Sequence, residues 1–157
     1  MGMMVRYTGA FYSRKGVVWR CRILQESDVA FPVKRLEFPD DEPLVIEYNE
    51  TAKEEVICGS TATLTIVSPC DRTYLDLYSI KVGQIRLDVY RDGVLFWSGC
   101  LDPEFYEEPY DSTSDYEVSL TFSDFGILDR MPYDGSGRKT LKELLDIALD
   151  KSRLNYT

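Results

Sequence analysis

Apolar and polar residues alternate with a period of two through most of this chain, and the period lengthens only near its end. Val17 to Leu24 places Val17, Trp19, Cys21 and Ile23 on one face and Val18, Arg20, Arg22 and Leu24 on the other, which predicts a half-buried strand. Val33 to Phe38 reads as a shorter strand before the turn Pro39-Asp40-Asp41-Glu42-Pro43, and Leu44 to Tyr48 as a strand with Leu44, Ile46 and Tyr48 inward. In Thr61 to Val67, Ala62, Leu64 and Ile66 share one face while three threonines take the other. Tyr116 to Phe122 turns Tyr116, Val118, Leu120 and Phe122 inward. Between these runs, Asn49 to Cys58 reads as a loop or a single turn, and Asp71 to Ser79 as an irregular or short helical plug built on Tyr74, Leu75, Leu77 and Tyr78.

The pattern centres on Gln84 to Pro103, where Asp92-Gly93 separates two β-rich runs. A two-residue type I′ turn needs positive φ at both central residues, so this pair predicts a hairpin. A two-residue loop sets Val89 opposite Phe96, Leu87 opposite Ser98 and Ile85 opposite Cys100 on a core face. The other face carries Gln84, Arg86, Asp88 and Tyr90 but also Leu95, Trp97 and Leu101, so the second strand reads as the more deeply buried. A loop with a bulge would shift this register by one.

After Ser123-Asp124-Phe125-Gly126 the period becomes helical: Leu141, Leu144, Leu145, Ala148 and Leu149 recur at helical spacing, and Thr140 with Glu143 makes a capping box. Strands followed by one helix predict a mainly β (α+β) fold, a small antiparallel barrel or sandwich with a C-terminal amphipathic helix packed on one end. The expected layout is a single domain of residues 1–157, with a β core over about 5–123, a loop over 124–139 and the helix over 140–152.

Charge narrows the chemistry. Net charge is −9 and no run of Lys or Arg forms a patch, which argues against nucleic acid and against an anionic membrane surface. Apolar runs fall short of a membrane span, and Met1 to Tyr7 lacks a signal peptide's apolar core, so the expectation is a chain made and folded in a cytoplasm. The four cysteines, Cys21, Cys58, Cys70 and Cys100, form no Cys-x-x-Cys pair and there is no histidine, so neither a metal site nor a cofactor is expected. The lack of histidine excludes Ser-His-Asp and Cys-His catalysis within the chain.

The most unusual loop, Leu101 to Asp115, interleaves Asp102, Glu104, Glu107, Glu108, Asp111 and Asp115 with Phe105, Tyr106 and Tyr110. Paired carboxylates can hydrolyse a glycoside, with Glu104, Glu107, Glu108 or Asp111 as candidates, but nothing in the sequence sets their separation. Clustered oxygens also suit calcium, yet the EF-hand pattern is absent. A plain solvated loop is the simplest reading of the acids. The preferred functional reading takes Phe105, Tyr106 and Tyr110 as interface anchors, with Glu107 and Glu108 among the acids that set partner choice. Trp19 and Trp97 are candidates for a sugar platform or for core, and Tyr133-Asp134-Gly135-Ser136-Gly137-Arg138 lacks nucleotide-loop spacing and reads as a turn.

The order of motifs resembles the hub domains of phage tails and related contractile injection machines. It consists of Ile85-Arg-Leu-Asp-Val89, Leu95-Phe-Trp-Ser-Gly99, Val118-Ser-Leu-Thr-Phe-Ser-Asp124, Leu128 and Thr140-Leu-Lys-Glu-Leu-Leu145 onward to Leu154, with Gly59-Ser-Thr-Ala-Thr-Leu64 as a weaker extension. Trp97-Ser-Gly99 with Leu101-Asp-Pro-Glu104 and Glu108-Pro-Tyr110 also looks like tail proteins of prophages in Bacteroides-type bacteria. The resemblance implies a baseplate hub or tail-tip subunit, a non-enzymatic virion protein that assembles with itself, usually as a trimer, and with other tail proteins. The alternatives are a cell-wall-cleaving glycosidase and a carbohydrate-binding module of the tail tip.

Overall fold

The computed structural model describes residues 2–48, 59–78, 81, 83–102, 115–124 and 137–152. They form β1 (Gly2–Tyr12), β2 (Val18–Ser27), β3 (Lys34–Arg35), β4 (Leu44–Tyr48), β5 (Ser60–Ser68), β6 (Ile85–Arg91), β7 (Val94–Leu101), β8 (Tyr116–Ser123) and the helix α1 (Leu141–Ser152). The fold is mainly β with a C-terminal helix, and the strands make one sheet in the order β3-β1-β2-β6-β7-β8-β5-β4.

That sheet is open, which removes the closed barrel and leaves a sheet folded over on itself. The fold line lies between β7 and β8, which pair only through Cys100 with Ser123 and Leu101 with Phe122. The two edge strands belong to one segment: Leu36 N–H donates to Thr8 O of β1, and the next residue, Glu37, accepts from Val67 N–H of β5, both at 2.9 Å. This strap therefore ties the two halves together on the side away from the fold line. It lies close over β1 because Gly9 has no side chain; a Cβ there would come within 2.6 Å of the Phe38 ring and 2.8 Å of Leu36 Cβ.

Between the halves sits one core. Cys21, Ile23, Leu87 and Val89 face it from one side and Ala62, Leu64, Ile66, Val118, Leu120 and Phe122 from the other, all fully buried. The facing pairs run in register, Cys21 with Val89 and Ile23 with Leu87, then Leu64 with Leu120 and Ile66 with Val118. A 3₁₀ turn at Leu75–Leu77 caps one end of the core, burying Tyr74 and Leu77 while Leu75 and Tyr78 stay exposed. The expected plug is thus half plug and half surface.

The hairpin corrects the simple register. Asp92 and Gly93 both have positive φ, 48° and 85°, as the turn requires, and Arg91 pairs with Val94 and Tyr90 with Leu95. A bulge then inserts Phe96, so Val89 faces Trp97, Leu87 faces Gly99 and Arg86 faces Cys100. Because a one-residue slip exchanges the two faces of a strand, Trp97 enters the core and Phe96 is left half-exposed. Cys100, expected beside Ile85, lies on the opposite face and is buried there.

Two further differences matter. The first eleven-residue strand, β1, is an addition to the expected set and pairs along nearly all of β2. Its alternation is broken by a bulge at Arg6 and by Gly9, so period-two counting passes over it. Helix α1 forms with its capping box, Thr140 N–H donating to Glu143 Oε2 at 2.7 Å and Glu143 N–H to Thr140 Oγ1 at 3.3 Å. Its apolar stripe is open rather than packed on the end of the sheet: Leu141 is 84% exposed and Leu145 50%.

Candidate functional site

Three polar nodes hold the strands together, and each consumes a carboxylate. At the first, the bulge in β1 turns both Arg6 and Tyr7 toward Asp76 of the 3₁₀ turn. Arg6 Nη2 donates to Asp76 Oδ2 at 2.6 Å, the Tyr7 hydroxyl to Oδ1 at 2.7 Å, and Lys34 Nζ lies 3.7 Å away. Arg6 also stacks over Phe31, and the Tyr7 and Tyr74 rings meet edge to face. At the second, Asp88 is buried with Arg86 Nε at 2.9 Å and accepts the Ser98 hydroxyl at 2.7 Å.

The third node joins pieces far apart in sequence. Trp97 Nε1 donates to Ser60 Oγ at 2.7 Å, Ser60 Oγ donates to Asp124 Oδ2 at 2.5 Å, and Ser60 N–H reaches Asp124 Oδ1 at 2.9 Å. Gly99 completes it, because the indole of Trp97 lies where a residue-99 side chain would be: a Cβ would sit 2.2 Å from Trp97 Cη2. The aromatic-x-Gly pattern, the residue after Gly59 and the Asp that follows β8 thus form one packed unit. Trp97 is core and is closed to any sugar.

The first node has a consequence for pH. Burial, then the hydrogen bond and charge of Asp76, raise the Tyr7 phenol above its ordinary 10.0; burial above all pushes Tyr74 up to about 12 and the Cys21 thiol from 9.0 to about 12. Each group stays protonated in the folded chain at pH values where the unfolded chain has released its proton. The stability that these three groups contribute is therefore level up to about pH 8 and is lost as pH rises from about 9 towards 12. Urea midpoints at a series of pH values check this, and Tyr7→Phe should reduce the fall. A midpoint unchanged at pH 11 would contradict it.

Besides these nodes, the described residues form two adjoining surface features, one apolar and one polar. Where the halves splay apart beyond the hairpin bulge, Phe11, Trp19, Leu44, Ile46, Tyr48 and Phe96 line a groove of about 360 Å³. Trp19 and Phe96 meet edge to face at 5.2 Å, and Arg91 stacks over Trp19. Tyr48, expected inward, is 63% exposed at the groove's lip. A polar cleft of about 800 Å³ adjoins it, sharing Phe11 and Ser13 and lined by Glu37, Asp40, Asp41 and Glu42 against Arg14 and Arg35. Sequence reading missed Phe11, half-buried against the core, as a groove residue and Phe96 as an exposed one; the signal for Phe96 is a bulge that leaves no mark in composition.

The expected interface residues Phe105, Tyr106, Glu107, Glu108 and Tyr110, and the candidate acids Glu104 and Asp111, lie outside the described residues. So do Leu128 and most of the glycine-rich turn, of which Gly137 has a φ of 91°. Cys21 and Cys70 are free thiols, and among the described residues no group of three or more potential ligands could hold a metal ion. No helix among them is long and apolar enough to cross a membrane. Comparison with protein families, with curated proteins and with solved structures gives no match.

Proposed function

We propose that this chain is a non-enzymatic structural subunit of a phage or prophage tail, at the baseplate hub or tail tip, that assembles with itself and with neighbouring tail proteins. The observation that carries the reading is the pair of apolar features that reach the surface, the aromatic groove, where Tyr48 and Phe96 are exposed above half-buried Phe11, Trp19, Leu44 and Ile46, and the leucine stripe of α1. Contiguous exposed apolar surface on a soluble domain marks an interaction site. The motif order supports the tail assignment, and the Trp97, Ser60 and Asp124 unit supplies a packing reason for that order.

Self-assembly suits the fold. The two-residue β3 and the short β4 leave little edge for uncontrolled strand pairing, so association would run through side-chain surfaces. Sedimentation equilibrium over a wide concentration range tests the reading. A trimer or other defined oligomer is the expected result, and a chain monomeric at every concentration would overturn it.

A further inference from the structure

We infer that α1 of one copy seats its leucine stripe in the aromatic groove of a second copy. This rests on the assembly reading and names the surfaces that perform it. Leu141, Leu144, Leu145 and Ala148 recur at the i, i+3, i+4 and i+7 spacing by which an amphipathic helix fills a groove. Leu141 and Leu145 are at least half exposed, so the stripe is presented outward and not spent on its own sheet. The groove offers the matching chemistry, the four aromatic residues Phe11, Trp19, Tyr48 and Phe96 with Leu44 and Ile46, and a volume near the low end of the roughly 300–1,000 Å³ usual for binding pockets.

Charge sets the partner and the direction. Arg138, Lys139 and Lys142 are exposed at the start of α1, where Glu143 is taken up by its capping bonds with Thr140, and Lys142 lies beside Leu149 in projection, at the margin of the stripe. The cleft that continues the groove carries four carboxylates against two guanidiniums, with Asp40, Asp41 and Glu42 exposed. A basic helix start thus meets an acidic rim while leucines meet aromatic rings. In a chain of net charge −9, these surfaces are complementary where two copies would otherwise repel. Helix and groove are different patches, so the contact is donor to acceptor, the arrangement that builds rings when its rotation closes.

The test uses two variants of the full chain, Leu144→Asp with Leu145→Asp in the helix and Phe96→Lys in the groove, with Tyr48→Lys as a second groove variant should Phe96→Lys fail to fold by circular dichroism. Each variant alone is expected to lose self-association by roughly a hundredfold in sedimentation. Mixing a helix variant with a groove variant restores one intact donor and one intact acceptor, so a 1:1 pair should return. Association unchanged in the variants, or a mixture that stays monomeric, would overturn this interface. If the variants associate as the unmodified chain does, self-assembly itself still stands. An unmodified chain that is monomeric, its helix docked on its own groove or on nothing, would overturn both.

Discussion

Replacing Trp97 by alanine is expected to lower stability by about 3–5 kcal/mol, the usual cost of removing a large aromatic from a core. Against a typical total of about 5–15 kcal/mol for a domain, that is a large fraction. The indole fills the space above Gly99 and its N–H satisfies Ser60, whose hydroxyl in turn holds Asp124. Its loss leaves a cavity at the end of the core and loosens the contact between β5 and the end of β8. Gly99→Ala should cost about 1–3 kcal/mol for the opposite reason, since the added methyl meets the indole and, at 2.9 Å, Ser123 O. The two changes are coupled. In a Trp97→Ala background the methyl has lost its closest obstacle, so the double variant should be less unstable than the sum of the two. Denaturant midpoints of the four proteins measure this, and strict additivity would show that the indole does not rest on Gly99.

Asp76→Ala is the second large effect, expected at about 2–4 kcal/mol. The carboxylate serves Arg6 and the Tyr7 hydroxyl together, and Tyr7 is only 1% exposed, so its hydroxyl would lose a partner that water replaces poorly. The figure stays below the full penalty of a broken buried ion pair because Arg6 retains 16% and Asp76 26% side-chain exposure. Asp76→Asn, which keeps an acceptor for Tyr7, should cost less. Tyr7→Phe should make Asp76→Ala milder, because the stranded hydroxyl is then absent. Chemical denaturation decides the point: equal losses for Asp76→Ala with and without Tyr7→Phe would remove the hydroxyl from the account.

Both nodes join elements distant in sequence. Asp76 ties the plug to β1 and Trp97 ties β7 to β5 and β8, leaving the splayed end with its aromatic groove as a cooperative, well-supported surface.

Where one face of a strand is buried and the other is wet, local chemistry alone was enough to read this protein. β5 and β8 follow their alternation residue by residue, the Asp92-Gly93 turn has its positive φ angles, and α1 begins at its capping box. Those features depend on interactions between neighbours in the chain. Three others depended on the tertiary structure. β1 becomes a strand by pairing with β2, although its pattern is interrupted by the bulge at Arg6 and by Gly9, whose bareness matters only because the strap crosses it. Trp97 turns to the core and Phe96, still against Trp19, is left half-exposed because of a bulge, whose setting is the bare Gly99 beside the indole and the Ser60 hydroxyl that accepts its N–H. The groove gathers Phe11, Trp19, Ile46 and Phe96 from four strands, a meeting that no local pattern encodes. Alternation specifies which side of a strand is apolar; only the folded sheet determines whether that side meets the core, the solvent or another molecule.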